Sequence, residues 1–117
     1  MQDLKEHSEV SVNLSPATVA RVIDPQKVVI NKGAQDGVKF AQRFTIYELS
    51  AEDIVDPTTN EPLGRLETIK GTGSVVHIQD RMAILEAIPE NPFLGIFGPR
   101  PTVTFKDPKV GDKARAI

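Results

Sequence analysis

Short runs of alternating apolar and polar residues follow one another along the chain, with turn residues between them. Nine prolines and eight glycines divide it into pieces too short for a long helix. The runs that we predict as strands lie at residues 17–23, 26–31, 43–49, 64–79 and 82–88. The last of these also suits a helix by local propensity, but its length and its β neighbours favour a strand. The pattern predicts an all-β fold, a small closed or partly open β-barrel of about six to seven strands with at most one short helix.

Turn residues give the predicted strands their boundaries. The first two runs are separated only by a short turn at Asp24 and Pro25, which predicts a hairpin. Residues 50–63 are polar and contain two prolines, so we predict an exposed excursion there. Glycine is suited to positive φ, as expected at Gly37, and to bulges or barrel corners inside a strand. The residues assigned to structural turns are Gly33, Asp36, Gly37, Gly64, Gly71, Gly73 and Gly111.

The chain length of 117 residues fits one domain. We predict a polar N-terminal leader at residues 1–16, partly strand at the alternating residues 10–14, and a single β-barrel domain at residues 17–117. No segment approaches the ~20 apolar residues of a membrane helix, so no membrane association is expected. The polar start predicts a cytoplasmic protein as the sequence is written, or a periplasmic one if a signal peptide has been removed.

Composition limits the possible partners and reactions. The formal net charge is -2 and the sequence pI is about 5.6, which gives no electrostatic reason to bind nucleic acid. The chain has no cysteine, which excludes disulfides, thiolate zinc sites and thiol catalysis. It also has no Gly-x-Ser-x-Gly elbow. We therefore expect no enzyme, no catalytic residue and no cofactor.

Two weak metal motifs have simpler explanations. Asp56, Thr58, Asn60 and Glu67 have the spacing of calcium-loop ligands, but Glu61 stands where that loop needs glycine. Turn chemistry in a polar excursion explains these residues without a metal. The only histidines are one in the polar leader and one in a predicted strand, and they do not form a metal-binding spacing. The sequence predicts no metal site.

One apolar segment has no place in a regular strand. Phe93, Leu94, Ile96 and Phe97 are interspersed with glycine and flanked by proline. They either close one end of the barrel or form a surface for a partner or a second copy of the chain. This segment is the partner surface that the sequence indicates.

An ordered series of motifs supports the barrel independently. It consists of residues 29–33 and 36–38, then Arg43, Phe44 and Tyr47, and then residues 56–64, 71–73 and 110–112. The series resembles the C-terminal β-barrel domain of flagellar assembly protein T and small free-standing bacterial proteins similar to it. The resemblance covers roughly residues 17–117, although Ala41 and Gln42 replace the family's usual Gly-Asp before the Arg-Phe pair. It implies a bacterial protein with a small barrel and an accessory or assembly role.

These observations favour a non-enzymatic module that binds a protein partner or self-associates. The alternative is a small-barrel module that binds nucleic acid or oligosaccharide, because such barrels host those ligands. An aromatic content of 5% and a negative net charge argue against single-stranded nucleic acid, which stacks on aromatic residues in basic grooves.

Overall fold

Six strands account for most of the described chain. The structure, a computed structural model, describes residues 15–89 and 102–117. The strands are β1 (Ala17–Asp24), β2 (Lys27–Ile30), β3 (Arg43–Val55), β4 (Pro62–Ile78), β5 (Ala83–Ile88) and β6 (Lys113–Ala116). Within those residues the only helical element is a 3-10 turn at Ala34–Asp36. The prediction of an all-β fold with at most one short helix is confirmed.

The six strands form one antiparallel sheet whose hydrogen bonding closes on itself. The order around the ring is β1, β2, β5, β4, β3 and β6. The short strand β6 closes the ring, because Ala114 lies opposite Ala17 of β1 and also opposite Ile46 of β3. The predicted hairpin of β1 and β2 is present. The result is a closed barrel of six strands, within the expected number.

The barrel interior is filled by apolar side chains from all six strands. In a barrel this small, the inward positions form a packed core rather than a channel. The largest fully buried side chains are Val19, Val28, Ile30, Ile46, Val75 and Leu85. Burying each of them contributes about 1.5–3 kcal/mol, so the core is the main source of the stability of the fold.

Phe105 reaches this core from a segment outside the strands. Its amide donates to the carbonyl oxygen of Pro25 at 2.9 Å, and its side chain is buried. Gly73 leaves the space that the ring occupies, because a Cβ there would lie 2.9 Å from Phe105 Cζ and 3.0 Å from Leu85 Cβ. A register shift between β3 and β4 occurs beside Gly71, as expected for a bulge.

The turn predicted around Gly37 packs against the connection between β4 and β5. Gly37 has a φ of 85°, in the left-handed region expected for it. Asp36 Oδ2 accepts from the Gly33 amide at 3.0 Å. The Ala34 amide donates to the Gln79 carbonyl oxygen at 2.9 Å, which fixes the two connections side by side. A Cβ on Gly33 would lie only 2.1 Å from that same carbonyl oxygen, so glycine is required there.

Residues 50–63, predicted as an exposed excursion, are largely exposed, but the strands extend into them. β3 continues through Val55, and β4 begins at Pro62, so only a short turn separates them. Gly64, predicted in a turn, lies inside β4 with a φ of +115°. The alternation expected of strands is missing because these residues have no core to face and are exposed on both sides of the sheet.

Some predictions fall outside the described residues. The possible partner surface at Phe93, Leu94, Ile96 and Phe97 lies there, as do residues 1–14 of the predicted leader. Across residues 15–89 and 102–117, no helix has the length and apolar character needed to span a membrane.

Candidate functional site

The longest strands of the barrel extend beyond it as a two-stranded ribbon. β3 pairs with β4 from Arg43 to Val55, but β6 accompanies β3 only from Phe44 to Tyr47. β5 likewise accompanies β4 only from Thr72 to Ile78. Among the described strands, residues 48–67 therefore pair only with one another, apart from Glu48, which lies opposite Thr68. We call this ribbon the arm.

The tip of the arm is a turn held by Asp56. The Asn60 amide donates to the Asp56 carbonyl oxygen at 2.7 Å, and the Thr58 amide donates to Asp56 Oδ1 at 2.8 Å. These three residues belong to the calcium-like spacing in the sequence, and here two oxygens of Asp56 accept hydrogen bonds from the amides of the other two. Across the residues that the structure describes, no cluster of three or more histidine, aspartate or glutamate side chains is placed to hold a metal ion.

A bulge in the middle of the arm is held by Ser50. Leu49 lies opposite Glu67 and Asp53 opposite Arg65, so three residues of β3 face a single residue of β4. Ser50 Oγ accepts from the Leu66 amide at 2.9 Å and donates to the Glu52 carbonyl oxygen at 2.7 Å. The Arg65 Nε donates to the Ser50 carbonyl oxygen at 2.6 Å. One serine thus replaces the strand-to-strand bonds that the bulge removes.

The arm exposes large apolar side chains. Leu63 is 67% exposed and Leu66 56%, and Ile54 and Val55 are each nearly half exposed. None of these four side chains belongs to the hydrophobic core cluster. A group of exposed apolar residues on a protruding element is typical of an interaction surface.

The arm is also strongly acidic. It contains six carboxylates and one cation, Arg65. The acidic residues are Glu48, Glu52, Asp53, Asp56, Glu61 and Glu67. Because the whole chain has 16 acidic and 14 basic residues, the rest of the chain holds 10 acidic and 13 basic ones. Negative charge is therefore concentrated on the arm, and the remainder of the chain is net positive.

A buried lysine anchors the base of the arm. Lys70, which is 5% exposed, lies in β4 just beyond the arm, and its Nζ is 2.9 Å from both Asp112 Oδ2 and Glu48 Oε1. The same ammonium donates to the Asp107 carbonyl oxygen at 2.8 Å. Asp112 is 3% exposed and also accepts from the Lys109 amide at 2.8 Å. We call Lys70, Asp112 and Glu48 the anchor network.

Charge pairing decides the protonation of this network. Burial disfavours the charge on Lys70, but the hydrogen bonds to Asp112 and Glu48 outweigh it and raise the pKa of the ammonium. The hydrogen bond from Lys70 and its positive charge lower the pKa of the Glu48 carboxyl. Lys70 and Glu48 are therefore charged at neutral pH, and the network joins β3 and β4 to the turn before β6.

That turn contains the last of the predicted turn residues, Gly111. Gly111 has a φ of +98°, and its amide donates to the Val19 carbonyl oxygen at 2.9 Å. The Asp112 amide donates to the Lys109 carbonyl oxygen at 3.1 Å, which closes the turn. The turn places the Asp112 carboxylate against Lys70 and beside the arm.

A second ion pair fixes the opposite side of the base. Arg115 Nη1 lies 3.1 Å from Glu67 Oε1 and 3.0 Å from Oε2. The guanidinium also lies over the Tyr47 ring, 4.6 Å from its centroid. The hydrogen bond from Arg115 to Glu67 raises the pKa of the guanidinium, which therefore stays charged. Residues of β3, β4 and β6 therefore hold the base of the arm in one orientation.

The chain matches no known family when compared with protein-family models, and no curated protein matches it. The functional argument therefore depends on the geometry of the arm and of the anchor network.

Neither of these features was identified from the sequence as a site. Lys70, Asp112 and the apolar residues of the arm were missed, although Asp112 was part of a quoted motif. One signal was present, namely five large apolar residues within a stretch that holds six carboxylates and one cation. The pairing of Lys70 with Asp112, 42 residues away, has no local signal.

Proposed function

We propose that this chain is a non-enzymatic protein-binding or assembly module and that the arm is its recognition element. The observation that carries the proposal is the two-stranded ribbon at residues 48–67, which leaves the barrel with large apolar side chains exposed. The barrel acts as the support that orients the ribbon.

Physical reasons favour a partner on the arm. A two-stranded ribbon is marginally stable in water, so burial of its apolar side chains against another protein would stabilise it. Both of its edges also offer backbone amides and carbonyls that a partner strand would pair with. The arm is held at its base by the anchor network and the Arg115–Glu67 pair, so little orientational freedom is lost on binding.

The chemistry of the described residues supports a binding role over catalysis. Their buried charged side chains are Lys70 and Asp112, and each is paired with the other. A general acid or base needs a group free to exchange a proton with substrate. Six carboxylates on the arm would repel a phosphate backbone, so the proposal concerns a protein partner.

The resemblance to the C-terminal barrel domain of flagellar assembly protein T supports an assembly role. Residues 56–64, which belong to the matching motifs, contain the tip of the arm. We include a bacterial assembly process in the proposal for that reason.

Site-specific photo-crosslinking in the native cells tests the proposal. A photoreactive amino acid at Leu63 should give a defined protein adduct, because that side chain lies on the exposed apolar arm. The same amino acid at Ala20, an exposed position on β1, serves as the control and should give none. Adding Ile54→Ser and Leu66→Ser should abolish the adduct at Leu63. Absence of an arm adduct, or equal adducts at both positions, would show that the arm is not a recognition element.

A further inference from the structure

The end of the barrel opposite the arm also exposes apolar side chains. β3 begins there at Arg43 and runs to the arm, while β4 returns to it at Ile78. We call residues 31–42 and 79–82, together with Arg43, the loop end. Its two connections are held together by the Gln35 amide, which donates to the Asp80 carbonyl oxygen at 3.0 Å. Phe40 is 70% exposed there, and Met82 is 42% exposed.

The charge of the loop end is opposite to that of the arm. Three exposed cations also lie on the loop end, namely Lys39, Arg43 and Arg81. The loop end has two carboxylates, Asp36 and Asp80, and that of Asp36 accepts a hydrogen bond from the Gly33 amide. The loop end is therefore apolar and net positive, whereas the arm is apolar and net negative.

We propose that the arm of one chain docks on the loop end of a second copy. This inference rests on the proposed function, because it names the partner of the same arm. The two surfaces match in chemistry, and opposite potentials steer such encounters and select between partners. Contact between two arms is disfavoured, since each arm brings six carboxylates and one cation. The loop end and the arm terminate the same pair of strands, so one copy can use both at once.

A contact between two different surfaces repeats from copy to copy. Such head-to-tail contacts form a ring when the rotation closes and an open chain when it does not. We therefore expect the mass of the particles to grow with protein concentration and with decreasing salt. This behaviour is what an assembly module needs, and it requires no partner besides the chain itself.

Sedimentation velocity on the wild type gives the first test. At about 10 mM salt, where charges act over about 30 Å, the average mass should rise above the monomer value with concentration. At about 1 M salt, where that distance is about 3 Å, the mass should return toward that of the 12.8 kDa chain. A wild type that stays monomeric at the highest soluble concentration and low salt would overturn the inference.

Charge exchange between the two surfaces gives the decisive test. Glu52→Lys with Glu61→Lys removes most of the negative charge of the arm, which then holds four carboxylates and three cations. Lys39→Glu with Arg81→Glu reverses the charge of the loop end. The side chains of Glu52 and Glu61 make no ion pair or hydrogen bond among the described residues, so the fold should tolerate the change. Each variant alone should be monomeric. An equal mixture should associate again, because the native arm of one variant meets the native loop end of the other.

A matched control and the contrary outcomes complete the test. Arg21→Glu with Lys106→Glu changes the net charge by the same amount as the loop-end variant, at exposed positions outside both surfaces. This control variant should still associate. Association of the loop-end variant alone would instead indicate another contact, such as arm to arm. A mixture that stays monomeric would also overturn the inference. A third outcome is a chain that never self-associates but whose arm crosslinks to a different protein. That outcome would support the proposed function and rule out a second copy as the partner.

Discussion

Lys70 is a charged side chain at a buried position of β4, where the barrel otherwise places apolar residues. The sequence shows a lysine beside Gly71 in a predicted strand, which is ordinary for a surface position. Its burial depends on Asp112, which the closure of the ring by β6 brings within 2.9 Å. The pairing is long-range and carries no local pattern, so sequence reasoning cannot find it.

Removal of the buried carboxylate should destabilise the protein. Asp112→Ala leaves the Lys70 ammonium with Glu48 as its remaining carboxylate and leaves the Lys109 amide without its acceptor. We expect the free energy of unfolding to decrease by about 3 kcal/mol. This value is at the lower end of the range for breaking a buried ion pair, because Lys70 still pairs with Glu48. Urea denaturation measures it. Asp80→Ala, at an exposed position, is the control and should change stability by less than about 0.5 kcal/mol. Equal effects of the two changes would contradict a stabilising role for the anchor network.

The same network predicts a specific dependence on alkaline pH. The pKa of Lys70 is raised in the folded protein above its ordinary value of 10.5 by the hydrogen bonds that outweigh its burial. A basic group whose pKa is higher in the folded protein than in the unfolded chain stabilises the fold fully at pH values below its unfolded pKa. This stabilisation is lost as the pH rises through its folded pKa. The difference in unfolding free energy between wild type and Lys70→Met should therefore be constant from neutral pH up to about pH 10.5 and decrease above it. A difference that does not change with pH would show that the charge of Lys70 does not stabilise the fold.

The strands that surround the core are the elements that the sequence predicts well. β1, β2 and β5 lie where alternating residues and flanking turns place them, because one face of each strand is buried and the other is not. The arm is also built from strands, but the outer ends of β3 and β4 have no buried face. Their polar composition therefore resembles that of a loop. The pattern of hydrophobic residues reports burial, and it detects a strand only where the strand is buried.

A single hydroxyl should control the order of the arm. Ser50→Ala removes the acceptor of the Leu66 amide and the donor to the Glu52 carbonyl oxygen. Hydrogen exchange at the Leu66 amide should accelerate severalfold, since a hydrogen bond of this kind contributes about 0.5–1.5 kcal/mol. Amides of the barrel core, such as that of Val28, should exchange as in the wild type. Faster exchange in the barrel as well would mean that the bulge stabilises the whole domain and not only the arm.

At the scale of the whole molecule, the sequence predicts the barrel but not its use. Apolar periodicity and glycine positions specify a closed sheet, and many different functions occur on such a sheet. The net charge of -2 hides a strongly acidic arm and a net positive remainder, because charge is informative only after the fold assigns it to surfaces. The sequence placed its candidate partner surface at residues 93–97, which the structure does not describe, whereas we propose a partner surface on the arm.

The barrel and the arm should therefore be separable by one deletion. Leu49 and Glu67 lie directly opposite each other at the base of the arm, so residues 50–66 can be replaced by the two-residue turn Asn-Gly. None of the removed residues belongs to the hydrophobic core cluster, and the anchor network and the Arg115–Glu67 pair remain. The shortened chain should unfold cooperatively with a free energy within about 1 kcal/mol of the wild type, in line with changes made away from a core. It should also have lost self-association. Thermal unfolding followed by circular dichroism measures the first property, and sedimentation velocity measures the second. A shortened chain that fails to fold would show that the arm stabilises the barrel, and one that folds and still associates would place the interaction elsewhere on the barrel.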